Sequence, residues 1–257
     1  MFPIFKSHFS IGKSILTLEP PKDSPSEGPD SVFDIAKSLN LKEVILVEDS
    51  FMGFLQAQKV SESLGVNFIF GLRVPIIEEG FDPEAKKHPK HKVVVFAKNS
   101  EGCKILFKVY SLLKSTEINS ITLSQLNDLW STENLDLAIP FYDSFLFCNL
   151  FLFNSFVVDL KPFKPTFLIE KNDLPFDSIL ESSINKYCEV NSHPTSLCKS
   201  IFYKNREDYD AFITYKLICS RNSFASSKSS LEKPNMDHMG SREFCYESYI
   251  ENINLPK

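Results

Sequence analysis

The sequence has no excess of positive charge: 28 Lys and Arg stand against 33 Asp and Glu over 257 residues, a formal net charge of −5. That argues against non-specific nucleic-acid binding by the chain alone, which needs a dense basic surface. No two of the six cysteines, at 103, 148, 188, 198, 219 and 245, lie within five positions of each other. The close pair of a structural zinc site is missing, and the thiols read as free and buried in a reducing compartment. Residues Met1 to His8 contain no apolar stretch of signal-peptide length. A membrane helix needs about 20 apolar residues. The most apolar run, Phe145 to Val158, is interrupted by Asn149, Asn154 and Ser155 and reads as a buried core helix. These absences lead to the expectation of a cytoplasmic protein without membrane attachment.

Familiar catalytic signatures are missing as well. There is no GxSxG elbow and no HExxH pair. Gly12-Lys13-Ser14 ends like a phosphate-binding loop, but Ser7 stands where that loop needs its first glycine. Without that glycine the backbone cannot wrap a phosphate. Cys188 and Cys198 flank His193, yet a catalytic thiol normally meets a histidine distant in sequence, so packing is the better reading. No internal repeat is visible.

What is present is an ordinary globular composition, 43% hydrophobic and 24% charged, long enough for one large α/β domain or a domain with an appendage. Strands are expected at Glu43–Val47, Asn67–Phe70, Lys92–Phe96, Leu135–Ile139 and Phe167–Glu170. Helices are expected at Ser31–Leu39, Met52–Leu64, Ser100–Leu113, Ser124–Trp130, Ser144–Asn154, Asp177–Tyr187 and around Arg242–Ile250. Such alternation favours a parallel sheet, wound open or closed into a barrel. The proline-rich stretch Glu19–Asp30, the charged stretch Glu78–His91 and the polar stretch Ser220–Gly240 read as loops or linkers.

His8 follows the first apparent strand, and Glu48 and Asp49 follow the next. Barrels of alternating strands and helices place their chemistry at strand C-termini. A histidine with two carboxylates at adjacent strand ends is able to bind a divalent cation; the plainer alternative is that Glu48 and Asp49 cap or solvate a loop.

Several segments carry a family resemblance. Lys6-Ser7-His8-Phe9-Ser10 resembles the opening HxH-(Y/F)-S of the PHP (polymerase and histidinol phosphatase) domain found in C-family replicative DNA polymerases. Val47 to Phe54 resembles that family's T-D-H-x-x-x-x-G, and Gly65 to Arg73 its G-I-K-P-I-x-G-x-E. Lys92 to Leu106, KVVVFAKNSEGCKIL, is similar to H-L-x-L-L-A-K-N-x-x-G-Y-x-N-L. Cys198 to Tyr203 resembles the closing A-T-N-D-V-H-Y, and Arg206 to Phe212 the x-E-D-x-x-A-H that follows. Ser241 to Phe244 stands where such polymerases carry a short K-S-x-E-E-M-like helix. The segments occur in the family's order along nearly the whole chain.

The departures fall on the family's metal ligands. The first His of HxH is Lys6, with His8 retained or offset by one residue. The Asp-His pair is Glu48-Asp49, the Glu of G-x-E is Arg73, and the next His is Lys92. The closing Asp-x-His falls on Ser200-Ile201-Phe202, which has nothing to coordinate with. Lys6, Arg73 and Lys92 are cations that can pair with Glu48 and Asp49 instead.

The resemblance therefore implies an α/β fold, a distorted (β/α)7 PHP-like barrel over residues 1–205. A short helical C-terminal extension over 206–257 would lead toward a polymerase palm not contained in this chain. It implies a structural or assembly role in DNA replication, with metal-dependent phosphoesterase activity lost and no nucleotidyl transfer. Partners would be palm and thumb regions of the replicase, with DNA touched only indirectly, in a bacterial cell or phage-infected host. No catalytic residue and no cofactor are expected. The rival is an active phosphoesterase or 3'-5' proofreading exonuclease. It would bind Mn2+, Mg2+ or Zn2+ through His8, Glu48, Asp49 and Glu170, with His88 or His91 swinging in. A third reading is a stand-alone replication accessory protein. Phe244, Tyr246 and Tyr249, taken as exposed, are candidate interface residues; the equal alternative is that they pack back on the barrel.

Overall fold

The computed structural model describes residues 1–21, 28–81, 88–220 and 238–254. Residues 22–27 of the proline-rich stretch, 82–87 of the charged stretch and 221–237 of the polar linker lie outside the described residues. The chain divides into two compact units. One comprises Met1–Phe70, Glu170–Pro175 and Cys198–Lys257; the other comprises Gly71–Ile169 and Phe176–Leu197. This partition assigns both the N-terminal strands and the segment after 205 to the first unit.

The first unit opens with β1 (Phe2–Phe5), α1 (Val32–Ser38), β2 (Glu43–Glu48) and α2 (Phe54–Leu64). Ser31 caps α1 by accepting the Phe33 N–H, and Gly65 ends α2 in the left-handed conformation, φ +66°. β3 (Asn67–Ile77) begins here and continues into the second unit. There it is followed by β4 (His91–Ala97), α3 (Ser100–Ser115), β5 (Ile121–Thr122), α4 (Leu123–Asp128), β6 (Leu135–Ile139), α5 (Phe145–Phe151), β7 (Thr166–Ile169) and α6 (Asp177–Asn191). β8 (Thr195–Ile201) returns to the first unit, which ends with α7 (Tyr209–Ser220) and α8 (Tyr246–Asn254).

The hydrogen-bonded strand order is β2-β1-β8-β7-β6-β4-β3-β5, and β2 also pairs with β3. Seven strands thus close a β-barrel, with β5 outside the ring. The all-parallel expectation fails at β4, which runs antiparallel to both β3 and β6. A parallel pair needs a crossover, usually a helix. Between β3 and β4 none of the described residues is helical, so the two strands form a long hairpin. The pairs β1–β2, β1–β8, β3–β5, β6–β7 and β7–β8 are parallel.

The expected helix Ser144–Asn154 is also shorter than its apolar run. Ser144 caps it by accepting the Phe147 N–H, but it stops at Phe151. Phe153 then adopts φ +54°, which costs an L residue about 1–2 kcal/mol. The Asn149 side chain takes over the backbone of Phe156, donating to its carbonyl at 3.0 Å and accepting its N–H at 2.8 Å. This local amide competes with helix continuation.

Candidate functional site

In the first unit, β1 and β2 lie side by side, with Phe5 opposite Leu46. Their C-terminal ends therefore bring the turn Lys6–Ser10 against Glu48 and Asp49. Glu48 is buried and accepts the Ser7 N–H at 2.7 Å and the Ser10 hydroxyl. The Ser10 oxygen in turn accepts the Asp49 N–H at 3.1 Å. Burial pushes the Glu48 carboxyl above its ordinary range, opposed by the Lys6 charge and the two serines. Lys6 is only 3% exposed, with its Nζ 3.7 Å from Asp49 Oδ2, where Lys13 also arrives at 2.8 Å.

His8 does not join this cluster. Its backbone N–H donates to the Leu16 carbonyl, its Nδ1 lies 3.3 Å from the same oxygen, and its ring rests on Phe9. Of Gly12-Lys13-Ser14, Gly12 supplies a left-handed turn at φ +72° and Lys13 serves Asp49. Ser14 donates to the Lys6 and Phe202 carbonyls. The motif holds the turn in place.

Glu170, just beyond β7, belongs to the first unit too. It accepts the Ser200 N–H and hydroxyl and the Asn172 amide, and burial raises its pKa. Lys199 Nζ donates to the Lys171 carbonyl at 2.7 Å, and burial lowers its pKa.

In the second unit, Arg73 and Lys92 do not stand as isolated cations. Arg73 Nη2 and Lys92 Nζ both donate to Asp143 Oδ2, at 2.8 and 2.9 Å. Asp143 was absent from the expected site. Its signal was its place between strand β6 and the capped start of α5, where a residue tolerating φ +62° is needed.

His91 is the first residue of β4 and is buried, with Phe145 and Phe156 presenting edges at 5.9 and 4.9 Å. Burial pushes its pKa down to about 4. It is part of a strand rather than of a swinging loop. His88 packs edge-on to Phe81. Cys188 is a buried thiol pushed up to about 11, and His193 stacks near Tyr187 and Phe167. Neither is arranged as a nucleophile with its base.

Both Glu48 oxygens already take hydrogen bonds, and Asp49 and Asp143 each face two cations. Among the described residues no three His, Cys, Asp or Glu side chains gather to hold one.

The aromatic interface candidates also need correction. Phe244 is buried and stacks on Phe202 at 5.3 Å and 9°. Tyr249 is buried, and Tyr246 is half-buried with its hydroxyl 3.2 Å from that of Ser38. The backbone explains this: Phe202 N–H donates to Phe244 O, and Tyr246 N–H to Tyr203 O. Arg206 fastens the same segment through Glu243, Glu247 and Glu251. Among the described residues no helix is long and apolar enough to cross a membrane. No protein-family model matches the chain, and no curated protein matches it.

Proposed function

We propose that this chain is the PHP-like part of a C-family replicative DNA polymerase. In this reading it serves assembly, and the metal-dependent phosphoesterase chemistry of such domains is gone. One observation carries the proposal: carboxylates at or near strand ends are held by lysine and arginine. Lys6 and Lys13 meet Asp49, Lys6 also opposes the charge of Glu48, and Arg73 with Lys92 meets Asp143. Fixed ammonium and guanidinium groups supply the positive charge that divalent ions would bring, but they offer no open coordination position for an attacking water. The ordered run of family-like segments supports the polymerase assignment, and the seven-strand barrel is compatible with it. Palm and thumb regions of the replicase are the partners this reading names, with DNA reached through them.

The test is metal content by mass spectrometry after purification with and without added Mn2+ or Zn2+, beside a Glu48→Ala/Asp49→Ala control. The expected result is no stoichiometric metal in either protein. Near-stoichiometric metal that disappears in the double variant would overturn the reading and favour the phosphoesterase or exonuclease.

A further inference from the structure

The longest charge-free stretch of the chain runs from Ser144 to Val158, and the structure brings much of it to the surface of the second unit. Beyond α5, Phe153 is 90% exposed and Val157 92% exposed, with Leu150, Leu152 and, on α6, Ile179 also exposed. Phe151 lies 5.1 Å from Phe176, which precedes Ile179 by three residues, about one helical turn.

This turn is braced. Asn149 grips both polar groups of the Phe156 backbone, the Asn154 N–H donates to the Cys148 carbonyl, and the Phe156 ring is buried against His91. Phe153 keeps φ +54° although it is bulky and gains no burial there. Such an outlier at a solvent-facing tip points to a role outside the unit's own packing. Side chains presented on a braced turn lose little freedom when they bind.

We infer that this surface pairs with a second copy of the chain. Two arguments choose that occupant. Two molecules that each carry a net charge of −5 meet with least repulsion where charge is absent, and an uncharged patch is complementary to itself about a two-fold axis. The size also fits. At about 150–200 Å2 per large apolar side chain, the five exposed fractions amount to about 500–650 Å2 per copy. A symmetric pair then buries about 1,000–1,300 Å2, the lower end of specific interfaces and enough for a weak dimer. The inference is independent of the replicase reading.

Sedimentation velocity on the full chain, from about 1 to 200 μM and in low and high salt, tests it. The expected result is a monomer–dimer equilibrium with a dissociation constant in the micromolar range, not weakened by salt. Phe153→Asn keeps the left-handed turn, because asparagine tolerates that conformation, and removes the apolar anchor. It weakens association at least tenfold, as does Val157→Asp, with the thermal midpoint of Phe153→Asn unchanged. A monomer throughout the range, a dimer that salt dissolves, open-ended assembly, or a dimer indifferent to Phe153→Asn would each overturn the inference.

Discussion

Glu48 in the first unit and Asp143 in the second meet a similar need, an acidic side chain at or near a strand end, by different means. Glu48 is sealed: serine donors take both oxygens and the nearest cation, Lys6, is itself buried. Asp143 is partly open, with Arg73 and Lys92 sharing one of its oxygens and water able to reach it. The comparison separates two kinds of charge neutralisation. A sealed pair has little water to fall back on when one member is lost, whereas an open pair is screened and replaceable.

The largest effect should follow from unbalancing the sealed cluster. Lys6→Met takes away the charge that opposes the buried Glu48 carboxyl and one of the two cations at Asp49, and leaving a buried charge without its partner costs about 3–5 kcal/mol. Lys6→Met/Glu48→Gln removes both charges and should recover at least half of that loss. Guanidinium unfolding of the two single variants and the double variant measures the coupling. A loss below about 1 kcal/mol for Lys6→Met would mean that Glu48 is held as a neutral acid, the direction in which its burial pushes it, and needs no counter-charge.

Acid should separate the two units next. His91 is held near a pKa of about 4 against an ordinary 6.5. Above pH 6.5 it is neutral in both folded and unfolded chains, and its contribution is whole. As pH falls from 6.5 toward 4 the unfolded chain takes up the proton first, so stability is lost. The loss reaches about 3 kcal/mol at about 1.4 kcal/mol per pKa unit. In the first unit Glu48 and Glu170 have raised pKa values, so their sign is opposite. Their unfavourable ionisation is relieved as pH falls through those raised values. Hydrogen exchange should therefore show β4 losing protection between pH 6.5 and 4 before β2 does, and His91→Leu should remove the difference. Equal loss in both strands would show that the units respond to acid as one.

Much of the architecture was legible because local signals agreed. The apolar run Val44–Val47, the cap at Ser31 and the glycine at 65 each mark an element that the structure contains. β4 departs from the parallel expectation because alternation of strand and helix does not hold there: the stretch before it reads as a loop, and none of its described residues is helical. β8, TSLCKSI, escaped notice because its polar residues mask a strand whose serine and lysine serve Glu170 and a backbone carbonyl. At the site, the substitutions at 6, 73 and 92 announced cations among carboxylates. Their partners were harder to assign. Asp143 is distant in sequence from Arg73 and Lys92, and only the β3–β4–β6 pairing brings them to one oxygen. For Phe244 and Tyr249 the residue pattern left two readings, docking surface or packing inward, since the backbone pairing that turns them inward leaves no periodic trace.

The smallest effect belongs to the open pair and decides whether the contrast holds. Asp143→Asn keeps the left-handed backbone at φ +62°, because asparagine tolerates it as well as aspartate does. It also keeps one oxygen able to accept from Arg73 or Lys92. Only the charge disappears. Arg73 is buried and its Nε already has no acceptor among the described residues, so some cost is unavoidable. Lys92 can turn toward solvent, and the site is partly screened. The expected loss is about 1–2 kcal/mol in urea at low salt, shrinking in about 1 M salt, where the Debye length is only about 3 Å. A loss as large as that of Lys6→Met, or one indifferent to salt, would make Asp143 a second sealed carboxylate, and the stability of both units would then rest on the same kind of buried charge.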